Sequence, residues 1–363
     1  MGNNSTVPRE PTPSTWTQWR DPNTLRTLAT ILLVVALSFW LLDKLAIVLR
    51  PLLLAVLVAY VILPYHNRLR RFVPSIVSVL VIAGFGAVVL GIGGFIVYAS
   101  IGELQSELPK LRGGAERIAN ESTGWVTEHA PWLAHSVLDG NSKTGGELIG
   151  KVQEFILFLL GMAPGAVVEV LTAGLYLFFL LLGAGHLRQR VQGAYDPARA
   201  ERILDVFGRI NSAIISYLKA KVLSSLLLAV AEGVILAACG VRFALLWAVL
   251  TFLCNFIPYV GTVVAYGVPI AFAAVSADLD WWFAAAAGLL LVAHVLSATV
   301  VEPMILGKAV GLSPLIILAA LSLWGSIWGL PGMLMAVPLT VVVLIVLENF
   351  EASRPVARLL EGA

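Results

Sequence analysis

Long apolar runs separated by short polar ones fill most of the chain. They cover about 28–42, 45–63, 75–99, 155–183, 220–240, 243–276, 281–301 and 312–347. A helix needs about 20 apolar residues to cross a ~30 Å hydrocarbon core. Two of the eight runs are much longer than that, and both are interrupted. Segment 243–276 breaks at "NFIPYVG", Asn255 to Gly261, and segment 312–347 breaks at "WGSIWGLPG", which holds Gly325, Gly329, Pro331 and Gly332. Each arm has about 15 residues, short for a full crossing. Re-entrant helical hairpins fit better. Their non-helical tips are tolerated at membrane depth only where protein or a water-filled cavity satisfies the freed backbone. The pattern predicts an all-α polytopic membrane protein of about six full spans plus two re-entrant hairpins.

Composition agrees, since only 13% of the residues are charged, against about a quarter in soluble domains. The positions of the charges matter more than the net +2. Arginines gather in the N-terminal tail (Arg9, Arg20, Arg26), in "HNRLRR", and over 185–221, while 101–151 carries an acidic excess. The positive-inside rule then puts both termini in the cytoplasm and 101–151 outside. The expected organisation is a disordered cytoplasmic tail (1–27), a four-span scaffold region (28–184) with the extracytoplasmic insert, a cytoplasmic amphipathic helix region (185–218), a transport region (219–348) and a second cytoplasmic tail (349–363). Asp196-Pro197 supplies an N-cap and an N1 proline for the amphipathic helix. The basic clusters flank spans without aromatic interleaving, which suits anionic lipid and not nucleic acid. Cys239 and Cys254 lie in apolar runs and predict buried structural thiols, with no disulfide framework and no metal spacing.

The order of parts repeats. Span 220–240 precedes the first broken segment and span 281–301 the second. The charge rule runs the first outward and the second inward, so the two span-plus-hairpin units are inverted. Gly/Pro-interrupted segments in corresponding positions of inverted halves mark a secondary transporter's binding site.

At these residues the chain resembles the autoinducer-2 exporter family. The matching stretches are "ISYLKAK", "VRFALLWAVLTFLCNFIPYVGT" and "VVEPMILGKAVGLSPLIILAALSLWGSIWGLPGMLMAVPLT". The resemblance implies a multi-span bacterial inner-membrane protein that exports or exchanges small solutes. It also implies homo-oligomers, pentamers among them, in which a hairpin-bearing transport domain moves against a scaffold. Members resembling quorum-signal exporters and members resembling sodium/proton antiporters leave the solute open, with Na+ or H+ as coupling candidates. One departure is plain: where many members carry an acid near "FFLLxD" after the fourth span, this chain has "LFFLLLGAGHLRQR".

Candidate chemistry follows from polar residues inside apolar segments. Glu169 and Glu232 are intramembrane carboxylates, expensive to place there and suited to proton coupling; the alternative is a hydrogen-bonded structural acid. His294 is a relay candidate or a helix-to-helix hydrogen bonder. Asn255, Pro258 and Gly261 at one tip, with Gly325, Gly329, Pro331 and Gly332 at the other, are the expected substrate-binding residues, although Asn255 also suits a cap. Glu302-Pro303 reads as a gate, or as an interface charge paired with Lys308 or an arginine, and Lys221 as a snorkelling lysine. No GxxxxGK[ST], HExxH or GxSxG motif is present, so no cofactor, metal or hydrolytic activity is expected. The expected function is solute export by alternating access. A cation/proton antiporter and a non-transporting membrane scaffold are the alternatives.

Overall fold

The computed structural model describes residues 22–129, 165–183, 187–276, 281–306, 312–350 and 353–360. Much of the predicted tails, the distal part of the 101–151 insert and Lys308 lie outside these residues. The chain divides into two units, 1–49 and 50–363. The first holds α1 (Pro22–Lys44), an apolar helix ending on Lys44. Helix α2 (Ala46–Leu69) starts at the edge of that unit, and its body belongs to the second.

The described residues of the second unit are all but entirely helical. After α2 come α3 (Ser75–His129), α4 (Gly165–Gly183), α5 (Leu187–Ala194) and α6 (Pro197–Ala238). The first broken segment forms α7 (Ala244–Cys254) and α8 (Val260–Ser276). Next are α9 (Trp281–Leu296), a π-helical turn (Ser297–Val301) and α10 (Glu302–Leu306). The second broken segment is α11 (Pro314–Asn349), and α12 (Arg354–Leu360) closes the unit. Among the described residues, six helices have the length and apolarity to cross a membrane: α2, α3, α4, α6, α9 with its continuation, and α11, the last only as a whole, since it is broken at Gly329. The chain is therefore an all-α polytopic membrane protein.

Two elements differ from expectation. The amphipathic segment 197–218 and span 220–240 are one helix of 42 residues, about 63 Å long. No Gly or Pro falls between 209 and 232 to end it; only the burial pattern changes, from a stripe to a wider face. Likewise, the 101–151 insert begins as an uninterrupted extension of α3, a helix of 55 residues that reaches about 82 Å. The extension packs on the first hairpin. Glu107 on it binds Arg242 at 2.8 Å, immediately before that hairpin.

Asp196 caps α6 as expected, its side chain accepting from the Arg199 N–H at 3.0 Å with Pro197 at the first helical position. Asp196→Ala should cost about 1 kcal/mol. A denaturation midpoint in detergent unchanged from the parent would show that the cap contributes nothing.

Both broken segments are helical hairpins. In the first, Tyr259 takes a left-handed φ of 62° and α7 packs on α8. In the second, Gly329 has φ 64° and ψ −142° inside α11. The Trp324 indole N–H donates to Thr340 Oγ1 at 3.4 Å. In an unbroken helix those residues would stand about 24 Å apart, so the chain doubles back at Gly329. Ile257 from the first tip packs with Ala320, Leu321 and Ala336 of the second hairpin. Two further clusters fix α6. Leu236 packs with Leu104, Trp247, Phe272 and Leu290 at one end. At the other, Ile214, Tyr217 and Leu218 pack against Val337, Val341 and Leu344 of α11.

Candidate functional site

Helix α6 presents a column of buried polar residues to its neighbours: Tyr217, Lys221, Ser224, Ser225 and Glu232. Four of them, at 217, 221, 225 and 232, recur at steps of four and seven, which share one face of a helix. Lys221, Ser225 and Glu232 each meet a different partner.

At the first level Lys221 Nζ donates to Glu302 Oε1 at 2.5 Å. The lysine side chain is only 2% exposed and the glutamate 25%. The expectation of a snorkelling lysine is thus corrected: Lys221 points into protein because Glu302 neutralises it there. Glu302 opens α10 directly after the π turn, and its backbone N–H donates to Ser297 O. Pro303, beside it, is exposed.

At the second level the Asn255 side-chain N–H donates to Ser225 Oγ at 2.9 Å, both residues buried. Asn255 also ends α7, so capping and a polar contact coexist. The backbone of this tip is satisfied locally. Val260 N donates to Pro258 O at 2.7 Å and Gly261 N to Ile257 O at 2.8 Å. What the tip offers is therefore the Asn255 side chain, not open carbonyls at Pro258 or a free amide at Gly261. At the second tip Gly332 is buried, Gly325 and Pro331 half-buried and Gly329 exposed.

At the third level Glu232 and His294 meet, Oε2 to Nε2 at 3.1 Å, and both are almost fully buried. Thr251 of α7 faces the same carboxyl. Three polar atoms around this pair have no hydrogen-bond partner: Glu232 Oε1, Thr251 Oγ1 and His294 Nδ1. Buried polar groups are nearly always bonded to protein or water, and here polar side chains from three helices, α6, α7 and α9, gather around one acid.

The two contacts, Lys221–Glu302 and Glu232–His294, also settle a direction. Residue numbers rise from Lys221 to Glu232 on α6 while their partners fall from Glu302 to His294, so α6 and the α9–α10 rod run antiparallel. The hairpin-bearing units face each other through both pairs.

Glu169 stands apart. It lies half-buried on α4, its Oε1 buried and unbonded, and no described bond joins it to Glu232 or His294. Sequence reasoning missed Lys221, Tyr217, Ser225 and Thr251 as site residues; helical spacing from Glu232 would have found the first three. It also missed a buried contact of His66 with Ser78, Nδ1 to Oγ at 2.9 Å, between α2 and α3. Cys239 and Cys254 are free thiols but only half-buried. Among the described residues no cluster of His, Cys, Asp and Glu could hold a metal ion.

A model of the AI-2E family transporter matches residues 29–352. The chain belongs to this family. Among its relatives, the AI-2 transport protein TqsA of Escherichia coli is 28% identical over 85% of this chain and 88% of its own length. A candidate transport protein of Borreliella burgdorferi is 25% identical over 83% and 81%. One of Haemophilus influenzae is 32% identical over 54% of this chain, which spans only 57% of that relative's length. The family is one of transporters, not enzymes, and with six long apolar helices among its described residues this member is a multi-pass membrane transporter.

Proposed function

We propose that the protein is a secondary transporter of the bacterial inner membrane, with both termini cytoplasmic. In this reading it exports a small polar solute, such as a signal of the autoinducer-2 type, by alternating access. The carrying observation is the polar column of α6, buried among apolar helices and ending on the Glu232–His294 contact. Such groups are costly in a membrane and are retained for pathways or relays. The two hairpins re-enter the membrane from opposite sides, Asn255 contacts the solute from the first tip, and the Gly325–Gly332 turn lines it from the second. Lys221–Glu302 closes one end. The broad apolar outer faces of α2 and α3 meet lipid and other copies in a homo-oligomer.

The Glu232–His294 pair favours proton or Na+ coupling as a second reading, in which the same column carries out antiport. A carboxyl and an imidazole in contact can exchange one proton when either loses its partner. Flux from proteoliposomes, with and without a pH or sodium gradient, tests both. We expect Glu232→Gln to abolish the gain in flux that an imposed pH gradient produces while the fold stays intact. Gradient-driven flux at the parental rate in that variant removes Glu232 from coupling. Absence of flux for every solute and ion in the folded parent leaves a scaffold.

A further inference from the structure

The Lys221 level has a surplus of donors. The ammonium has three N–H groups and one described acceptor, Glu302 Oε1. One turn before it on the same face of α6, the Tyr217 hydroxyl is buried without a partner, within the field of the Glu302 carboxylate. The Tyr217 ring is held against Val337 and Val341 of the second hairpin. The cluster thus lies where α6, α10 and a hairpin arm meet. Its acid is the more exposed partner, with 25% of its side chain exposed against 2% for the lysine.

We propose that Lys221 and Tyr217 form a binding site for the anionic group, a carboxylate or a phosphate, of the transported solute, and that Glu302 fills this site when no solute is present. The inference rests on the transporter reading and adds the substrate class to it. The reason is charge pairing. A buried ammonium left without a counter-ion costs several kcal/mol, so the Lys221–Glu302 contact opens readily only when another anion takes the place of Glu302. Exchange of one anion for another leaves the buried charge unchanged and frees Glu302 to turn toward the surface it already reaches. The incoming group also gives the Tyr217 hydroxyl the acceptor it lacks. A neutral solute offers neither. Binding and release of the α6–α10 contact then become a single event, which couples solute occupancy to movement of the second hairpin.

The test uses the full chain purified in a neutral detergent, its melting temperature followed against inorganic phosphate and against succinate. Ionic strength is held with sodium chloride, glycerol is the uncharged control, and a separate series adds phosphatidylglycerol. We expect a saturable rise with phosphate or succinate in the parent. Glu302→Gln should bind the same anion at least tenfold more tightly, because its internal competitor is gone. Tyr217→Phe, which keeps the ion pair and therefore the fold, should bind about fivefold more weakly for one lost hydrogen bond. Lys221→Gln combined with Glu302→Gln should show no rise. The proposal is overturned if the double variant responds like the parent, if glycerol acts as well as the anions, if Glu302→Gln gains no affinity, or if only phosphatidylglycerol stabilises. Flux of neutral solutes without any anion response sinks the site and leaves transport standing. Anion binding by a protein that moves nothing does the reverse.

Discussion

Glu302→Leu should destabilise the protein by about 3–5 kcal/mol, whereas Lys221→Met should cost less than about 1.5 kcal/mol. The two residues form one ion pair, so equal costs would be the simple expectation. Burial makes them unequal. Removing Glu302 strands an ammonium whose side chain is 2% exposed. Removing Lys221 leaves a carboxylate that is already 25% exposed and can turn outward. Methionine also replaces the lysine stem with similar volume. The double replacement, Lys221→Met with Glu302→Leu, should recover most of the loss, since it strands no charge. Unfolding in detergent, followed by tryptophan fluorescence, measures all three. Equal losses in the two single variants, or no recovery in the double, would mean that Lys221 is not held in the protein interior by its partner.

That asymmetry could not be read from the sequence, and the reason is general. A lysine opening an apolar segment is ordinary, because its long stem lets the charge reach the membrane surface. Its position along α6 was plain, but its partner lies 81 residues away on α10, and only the fold brings them together. The pair Glu232 and His294 shows the same limit. Each was legible as a polar residue in an apolar run; their meeting depends on α6 and α9 running antiparallel. The breaks themselves were legible. "NFIPYVG" and "WGLPG" combine residues that end helices or favour a left-handed turn, and the chain reverses at both. The π turn at Ser297–Val301 left no comparable mark, since "SATVV" holds neither Gly nor Pro. The continuity of α6 was missed for the opposite reason. A change from a one-sided to a broader apolar pattern resembles a helix end, although no breaker lies there.

Gly332→Ala and Gly261→Ala should each prevent normal assembly of their hairpin, a loss above about 4 kcal/mol, the range of exceptional single substitutions. The two glycines stand just past the two chain reversals, at the points where the second arm crosses closest to the first. A Cβ on Gly261 would lie 1.8 Å from the Cys254 carbonyl oxygen, and one on Gly332 would lie 2.0 Å from the Trp324 carbonyl oxygen. Both obstacles are backbone, so no rotamer relieves them; the arms must separate. At the first tip that displaces Ile257 from the second hairpin and Asn255 from Ser225, and with them the contact between tips and the middle level of the polar column. Two controls grade the effect. At Gly325 the nearest atoms belong to the flexible Met333 side chain, at 2.8 Å, so alanine there should cost about 1–3 kcal/mol, as overpacking usually does. At Gly267, on the exposed face of α8, nothing lies within 4 Å, and alanine should be neutral or slightly stabilising because it restricts the unfolded chain. Detergent-extracted yield and melting temperature rank the four variants. If Gly261→Ala and Gly332→Ala behave like Gly267→Ala, the arms do not cross at these glycines, and the doubling back of both segments is wrong.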